Sequence, residues 1–274
     1  MFQKMLYPTD FSPYSKGVFN YLKDLKKFGV KEIGVLHVIN ISKFDKPISS
    51  YDISSLIEKE IEYTREEYEK HKEIFEKAGF KVNLIQPAVG DPVVEIVKKS
   101  ESYNFIGMTS RGYGVLREIV LGSVSEGVVR KSRIPVLLFK FKVKIDKDLV
   151  FCSKYHEELL DRILVAYDFS KTADKALEYA INLAKSIESE IHVVYVKEED
   201  RKLSEIEDRL KGTKYSLYER IGVPHKEILA LIDEIDATIV FMGSSRMGLF
   251  PAILGSTSEI LIRRTKVPTL VVRC

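Results

Sequence analysis

Residues 119–139, IVLGSVSEGVVRKSRIPVLLF, and residues 253–272, ILGSTSEILIRRTKVPTLVV, are written in one frame. An apolar run leads into Gly-Ser, then Ser-Glu, a short helical stretch, a basic pair, Pro and an apolar strand. Upstream, Leu6-Tyr7-Pro8-Thr9-Asp10-Phe11-Ser12 is echoed by Val165-Ala166-Tyr167-Asp168-Phe169-Ser170. Between them, Gly90-Asp91-Pro92-Val93-Val94-Glu95-Ile96 is echoed by Gly222-Val223-Pro224-His225-Lys226-Glu227-Ile228. The chain is therefore a duplication, and any fold assigned to it must be built twice.

The spacing between the copies places an insertion. Asp10 and Asp168 are 158 positions apart, as are His37 and Tyr195, whereas Gly90 and Gly222 are 132 apart and Gly122 and Gly255 are 133 apart. The first copy thus carries about 26 extra residues between its second and third strands, within 40–78. There, Ile53, Leu56, Ile57, Ile61, Tyr68 and Phe75 mark one face of a long charged helix over 53–75. It reads either as an extended crossover helix or as a lid or docking arm.

Each copy alternates short apolar runs with amphipathic stretches. Strands are predicted at 3–8, 32–39, 81–87, 104–109 and 134–140, and again at 162–167, 190–196, 214–220, 237–242 and 267–273. They are rich in Val, Ile and Leu with little polar alternation, as for parallel strands buried on both faces. Helices are predicted at 15–28, 93–100, 172–186 and 226–235. Strand–helix–strand alternation predicts an α/β protein with right-handed crossovers, built as two doubly wound parallel-sheet domains. The boundaries fall at 1–142 and 161–274. The linker, 143–160, is too apolar for a free tether, since it holds Val143, Ile145, Leu149, Val150 and Phe151, so it should pack along a domain surface.

The 274 residues suit two ordinary domains. No run approaches the roughly 18–20 apolar residues of a membrane helix, and the N-terminus reads as an immediate strand rather than a signal peptide. Two cysteines, Cys152 and Cys274, make neither a disulfide framework nor a zinc site, which suits a reducing cytoplasm. A net charge of +3 and the lack of an aromatic-basic stripe argue against nucleic acid.

In an open parallel sheet, ligands bind beyond the C-terminal strand ends where strand order reverses. Each copy brings two features there. One is an Asp closing the first strand (Asp10, Asp168), able to cap the first helix or to accept from an exocyclic amine. The other is the loop after the fourth strand: Thr109-Ser110-Arg111-Gly112 leading to Gly122-Ser123, and Gly243-Ser244-Ser245-Arg246 leading to Gly255-Ser256. A glycine-containing loop entering a helix offers N–H groups and the positive dipole end to phosphate. Against this, Ser123-Val124-Ser125-Glu126 and Ser256-Thr257-Ser258-Glu259 both spell capping boxes, which satisfy a helix end without a ligand.

At these residues the chain resembles the universal stress protein family over essentially both repeats. The family hallmark is Gly-x2-Gly-x9-Gly-Ser/Thr after the fourth strand, an Asp closing the first strand and a Val closing the second. The resemblance implies a Rossmann-like five-stranded parallel sheet of order 3-2-1-4-5, dimerisation through the last strand, and, in one subgroup, ATP bound with a divalent metal. Carried over by position, Asp10 and Val38 would hold adenine, and Thr109, Arg111, Gly112, Gly122, Ser123, Val124 and Ser125 the ribose and phosphates. In the second copy the matching positions are Asp168, Val196, Gly243, Ser245, Arg246, Gly255, Ser256, Thr257 and Ser258.

The copies depart from the motif differently. Thr109 stands where the first glycine belongs, and a β-branched residue there resists positive φ and holds a ligand off. The second copy keeps Gly243 but lacks the next glycine, and its loop is one residue short. Depending on the gap, Ser245 or Arg246 takes that place, Arg246 either meeting a phosphate or remaining a solvated charge. The first site, with its loop length intact, is the better of the two.

His37, on the second strand, reads as a buried hydrogen-bonded residue; His71, His156, His192 and His225 have no zinc spacing. No nucleophile elbow, Walker lysine or Cys-His pair is present. No catalytic residue and no protein-held metal is expected. The sequence supports a stress-associated tandem module binding ATP or AMP, with Mg2+ through the phosphates. Its two halves would pair as an intramolecular pseudo-dimer through 135–140 and 268–273, and tandem chains could form a homodimer. The alternative is a nucleotide-free interaction scaffold contacting partners through the 53–75 helix; slow ATP hydrolysis is a weaker third reading.

Overall fold

The structure is a computed structural model that describes residues 1–40, 53–110, 121–147, 149–197, 201–244 and 255–273. In the first half the strands are β1 (Lys4–Pro8), β2 (Glu32–Leu36), β3 (Val38–Asn40), β4 (Lys81–Leu84), β5 (Ala88–Gly90), β6 (Phe105–Thr109) and β7 (Val136–Phe139). Its helices are α1 (Pro13–Lys16), α2 (Leu22–Lys27), α3 (Ile53–Lys77), α4 (Pro92–Lys99) and α5 (Ser123–Lys131). The linker forms a hairpin of β8 (Lys142–Asp146) and β9 (Leu149–Ser153). The second half has β10 (Arg162–Ala166), β11 (Glu190–Val196), β12 (Lys214–Arg220), β13 (Ile239–Gly243) and β14 (Thr269–Val272). Its helices are α6 (Lys171–Ile187), α7 (Glu207–Leu210), α8 (Pro224–Glu234) and α9 (Ser256–Arg264). No described helix is long and apolar enough to cross a membrane.

Ten strands make one sheet in the order β12-β11-β10-β13-β14-β7-β6-β1-β2-β4. Each half has the expected 3-2-1-4-5 order with all internal pairs parallel. The halves meet where β14 pairs antiparallel with β7, Leu270 opposite Leu137 and Val271 opposite Val136. The central strands β6, β7 and β14 are buried along their whole length, as their unbroken apolar runs require. Edge strands β4 and β12 carry Lys81, Asn83, Lys214, Glu219 and Arg220, polar residues that discourage further strand pairing.

Each face of the sheet carries a core that runs through both halves. On one face α2, α3 and α6 bring Leu25, Tyr68, Phe75, Ala176 and Leu177, and Phe28 reaches Phe241 across the join at 6.3 Å between ring centroids. On the other, α4, α5, α8 and α9 bring Ile96, Val128, Ile228, Leu231 and Ile262.

Two predicted elements are broken, each for a visible reason. The helix expected over 15–28 is split by a 3-10 turn at Gly17–Tyr21. There the Asn20 amide donates to the Gly17 carbonyl (3.1 Å) and to Cys152 O of the linker (2.9 Å), competing with the helical ladder. A Cβ on Gly17 would sit 2.8 Å from the Phe141 ring, so this glycine lets the linker approach. The second strand expected over 32–39 is interrupted at His37, whose N–H donates to Tyr68 Oη of α3 (2.7 Å) instead of to a strand. The chain then resumes as β3 against β5.

The linker packs against the first half. Buried Asp24 accepts from Lys154 Nζ (3.0 Å) and from the Leu159 N–H (2.9 Å), and Tyr21 Oη donates to Lys140 O (2.7 Å). Helix α3 is a crossover helix at its C-terminal end, where Tyr68 and Phe75 are buried. Its length, about 37 Å at the helical rise, carries its first turns past the strand ends.

A four-membered charge network bridges the halves. Arg130 contacts Glu126 of its own helix (2.9 Å) and Glu259 of the other half (3.0 Å), while Arg263 contacts Glu259 (3.3 Å) and Glu126 (2.7 Å). Burial pushes the Glu126 carboxyl up, but Arg130 and Arg263 outweigh it and hold the group below the usual carboxylate range. Because the folded pKa is the lower one, this stabilisation is complete above the unfolded value of about 4.3 and disappears as pH falls through the folded value. A double-mutant cycle of Glu126→Ala with Arg263→Ala should give a coupling of about 0.5–1 kcal/mol in urea unfolding at pH 7 and none at about pH 2. Coupling that persists in acid would show that packing, rather than charge, joins this pair.

Candidate functional site

The sheet brings the predicted residues of each half to the edge where strand order reverses. In the first half β1 lies between β2 and β6, so Asp10 leaves the sheet beside Thr109. The start of α5 is tied to the same edge: the Gly122 N–H donates to Ser110 O (2.8 Å), and Ser125 Oγ donates to Thr109 O (2.8 Å). In the second half Asp168 follows β10, and Ser258 Oγ donates to Gly243 O (3.3 Å). Val38 is half-buried in β3 opposite Ala88, whereas Val196 is buried at the end of β11 opposite Arg220. Arg111, Gly112, Ser245 and Arg246 lie outside the described residues.

Asp10 does not cap the first helix. Its Oδ1 accepts from the Ser12 N–H (3.1 Å) and from Ser12 Oγ (2.6 Å), and Ser12 in turn caps α1 by accepting from the Ser15 N–H (3.2 Å). The second copy repeats this arrangement: Asp168 Oδ1 accepts from the Ser170 N–H (3.0 Å), and Ser170 caps α6 at Ala173 (3.1 Å). Both carboxylates are exposed. The turn thus fixes one oxygen of each and leaves the group at the surface of the edge.

Between Asp and Ser sits a feature the sequence reading missed. Phe11 and Phe169 adopt left-handed conformations, φ 58° and 59°, which cost a bulky residue about 1–3 kcal/mol. The conformation turns each ring inward. Phe11 stacks on His37 at 4.6 Å, and Phe169 packs edge-on against Tyr195 at 5.0 Å under the Arg201 guanidinium. Burial of the ring, about 1.5–3 kcal/mol, offsets the strain. The signal was present in the repeated Asp-Phe-Ser, the same three residues in both copies. His37 is buried as expected, its Nδ1 donating to Thr9 O (2.8 Å) with Glu60 3.7 Å from Nε2.

The capping boxes do not form. The N-caps are Gly122 and Gly255, one residue earlier than that pattern requires, and neither helix end receives a side-chain cap among the described residues. Glu126 and Glu259 are drawn away into the bridging network. The first-turn N–H groups of α5 and α9, which have no intrahelical acceptor, therefore face the edge with the positive end of the helix dipole. Ser125 and Ser258 spend their hydroxyls on strand carbonyls, so what they offer a ligand is backbone.

The first motif glycine also has a different purpose from the one its sequence position suggested. Neither Thr109 nor Gly243 has a positive φ. A Cβ on Gly243 would lie 2.5 Å from Ala173 N and 2.6 Å from the Thr172 carbonyl carbon, so the glycine admits the start of α6. In the first half the helix that follows the first strand, α1, has 4 residues against the 17 of α6. By contrast, a Cβ on Gly255 would meet nothing within 4 Å among the described residues, so packing against them does not demand that glycine. Gly243→Ala should destabilise the protein by about 1–3 kcal/mol in denaturant unfolding, whereas Thr109→Gly should leave any ligand affinity within about twofold. A clear gain in affinity from Thr109→Gly would restore the view that threonine obstructs the site.

Among the described residues no group of three or more His, Cys, Asp or Glu stands together to hold a metal. The arrangement is a carboxylate and an open helix N-terminus on one sheet edge, repeated twice. That defines a tandem doubly wound α/β protein.

A sequence model of the Universal stress protein family matches residues 1–140, 160–211 and 197–273. The chain belongs to this family. A universal stress protein of Archaeoglobus fulgidus is similar over 98% of both chains, with 42% identity and a TM-score of 0.81. Universal stress protein MJ0577 of Methanocaldococcus jannaschii is 37% identical over 162 residues, which are 52% of this chain and 97% of that one. A functionally unknown protein of Pseudomonas aeruginosa, at 17% identity and TM-score 0.60, covers 99% of this chain and shares the fold.

Proposed function

We propose that this universal stress protein binds an adenine nucleotide, ATP or AMP, in its first half, as a stress-associated module without efficient catalysis. The units are 1–142 and 161–274, joined by 143–160. Asp10 receives the adenine amine beside the Val38 backbone, and the Gly122–Ser125 turn receives phosphate. Mg2+ accompanies the phosphates, since the site residues offer no dedicated cage. The observation that carries this reading is the start of α5. Its N–H donors are left without a side-chain cap, at the same sheet edge as the Asp10 carboxylate. A helix N-terminus in that state favours an anion by position and by dipole.

One observation favours the scaffold reading. The first turns of α3 leave Leu56, Ile57 and Ile61 only half-buried and Tyr63 exposed, an apolar face with room for a partner.

The two readings separate on purified protein. With Mg2+ and millimolar ATP, thermal unfolding should shift upward by several degrees, with about one nucleotide bound per chain in calorimetry. Asp10→Ala should abolish the shift, while Asp168→Ala should retain it. No shift with the unmodified chain leaves the scaffold reading; equal loss from Asp168→Ala overturns the choice of the first half.

A further inference from the structure

At the seam between the halves lies a cavity of about 100 Å³ whose lining shares only Thr109 with the expected nucleotide site. Its floor is the end of β6, Thr109 and Ser110, with Lys140 just beyond β7. The second half contributes Arg264, the last residue of α9, and Lys266, from the turn before β14. Phe141, at the end of the first unit, and linker residues Val143 and Tyr155 wall it in. It is therefore assembled from both halves and from the segment that neither repeat contains.

The lining is electrostatically one-sided. It holds three cations, Lys140, Arg264 and Lys266, and no carboxylate among the described residues. Neighbouring arginines do find acids: Arg263, next in sequence, bridges Glu126 and Glu259, and Arg162 bridges Asp161 and Asp236. Arg264 and Lys266 have no ion-pair partner among the described residues. Self-repulsion of clustered cations is a cost unless an anion joins them.

Two further details suit an anion. The C-terminal end of α9 faces the seam, and its negative dipole would oppose one. Buried Lys140 removes that obstacle by donating from Nζ to Ile262 O in the last turn (2.8 Å). Hydroxyl groups of Ser110, Thr265 and Tyr14 supply neutral donors around the cations. The volume is several waters' worth and falls short of the roughly 300–1,000 Å³ of sites that enclose a whole drug-sized ligand. It suits one phosphate-sized group.

We propose that this seam cavity is a second site, which takes a phosphate group through Arg264 and Lys266 with Lys140 beneath. The group is either a free oxyanion or the end of a polyphosphate whose nucleoside sits in the first half. Only the second source rests on the nucleotide reading above.

Calorimetry at fixed ionic strength on the full chain tests it with three probes: inorganic phosphate, pyrophosphate and ATP. Arg264 and Lys266 are exposed, so Arg264→Ala/Lys266→Ala should fold normally, which its unfolding temperature without ligand will show. The double variant should weaken inorganic phosphate and pyrophosphate by about tenfold or more, while Asp10→Ala leaves both unchanged; this identifies a free oxyanion site. If only ATP binds the unmodified chain and the double variant weakens it by that factor, the group is the nucleotide's terminal phosphate. If all three probes bind the double variant within about twofold of the unmodified chain, or none binds the unmodified chain, the proposal is wrong. Phosphate that binds through Arg264 and Lys266 while ATP does not would sink the nucleotide reading and leave this one standing.

Discussion

The antiparallel pairing of β14 with β7 is the contact on which the rest of the structure depends. Each half ends its sheet with a strand buried on both faces, VLLF in one and TLVV in the other. An edge strand of that kind, left unpaired, would expose apolar side chains and a row of backbone donors and acceptors. Pairing the two edges removes both liabilities and makes one ten-stranded sheet. The cores on its two faces become continuous through both halves, so neither half is completed without the other.

Polar contacts confine the seam to this register. Lys140 reaches Ile262 O of the other half, and its counterpart Arg273 reaches Val129 O (2.9 Å), each inserting a buried cation at the last turn of the opposite helix. Those carbonyls lack intrahelical donors, and the helix dipole favours positive charge there. Above them Glu126, Arg130, Glu259 and Arg263 alternate in sign across the join. The same interactions shape the ligand edge. Glu126 and Glu259 are held in the network, so they do not fold back to cap their own helices, and the helix starts remain open.

Much of this was legible in the residues. The strand runs, the repeat offset and the glycine spacing gave two α/β repeats, the long helix in the first copy and the family resemblance, and that resemblance implied the sheet order. Strand 190–196 falls where it was expected, because a buried parallel strand is bounded by a sharp change in hydropathy. The site was legible as positions, and less so as roles. Ser123-x-x-Glu126 has the composition of a capping box, yet local spacing cannot show that two arginines, one from 137 residues away, compete for the glutamate. Gly243 matched a ligand-binding motif, yet what it admits is the backbone of α6. The left-handed Phe11 and Phe169 were hidden because bulky residues are poor candidates for that conformation; only the repeated tripeptide hinted at it.

Sequence alone determined what depends on local pattern: two α/β repeats, the Asp and Gly-Ser landmarks, and an inserted helix; strand order came with the family resemblance that those landmarks carry. Hydropathy period and turn chemistry are properties of neighbouring residues, so they survive in one dimension. Tertiary structure decided what depends on residues far apart in the chain. It decided that the halves, expected to pair through 135–140 and 268–273, do so as an antiparallel ladder within one sheet, that Ser12 rather than Asp10 caps the first helix, and that the helix starts stay open. It also gathered Lys140, Arg264 and Lys266 around one cavity. Charge and hydrogen-bond partners are chosen by distance in space, and the sequence does not contain that distance.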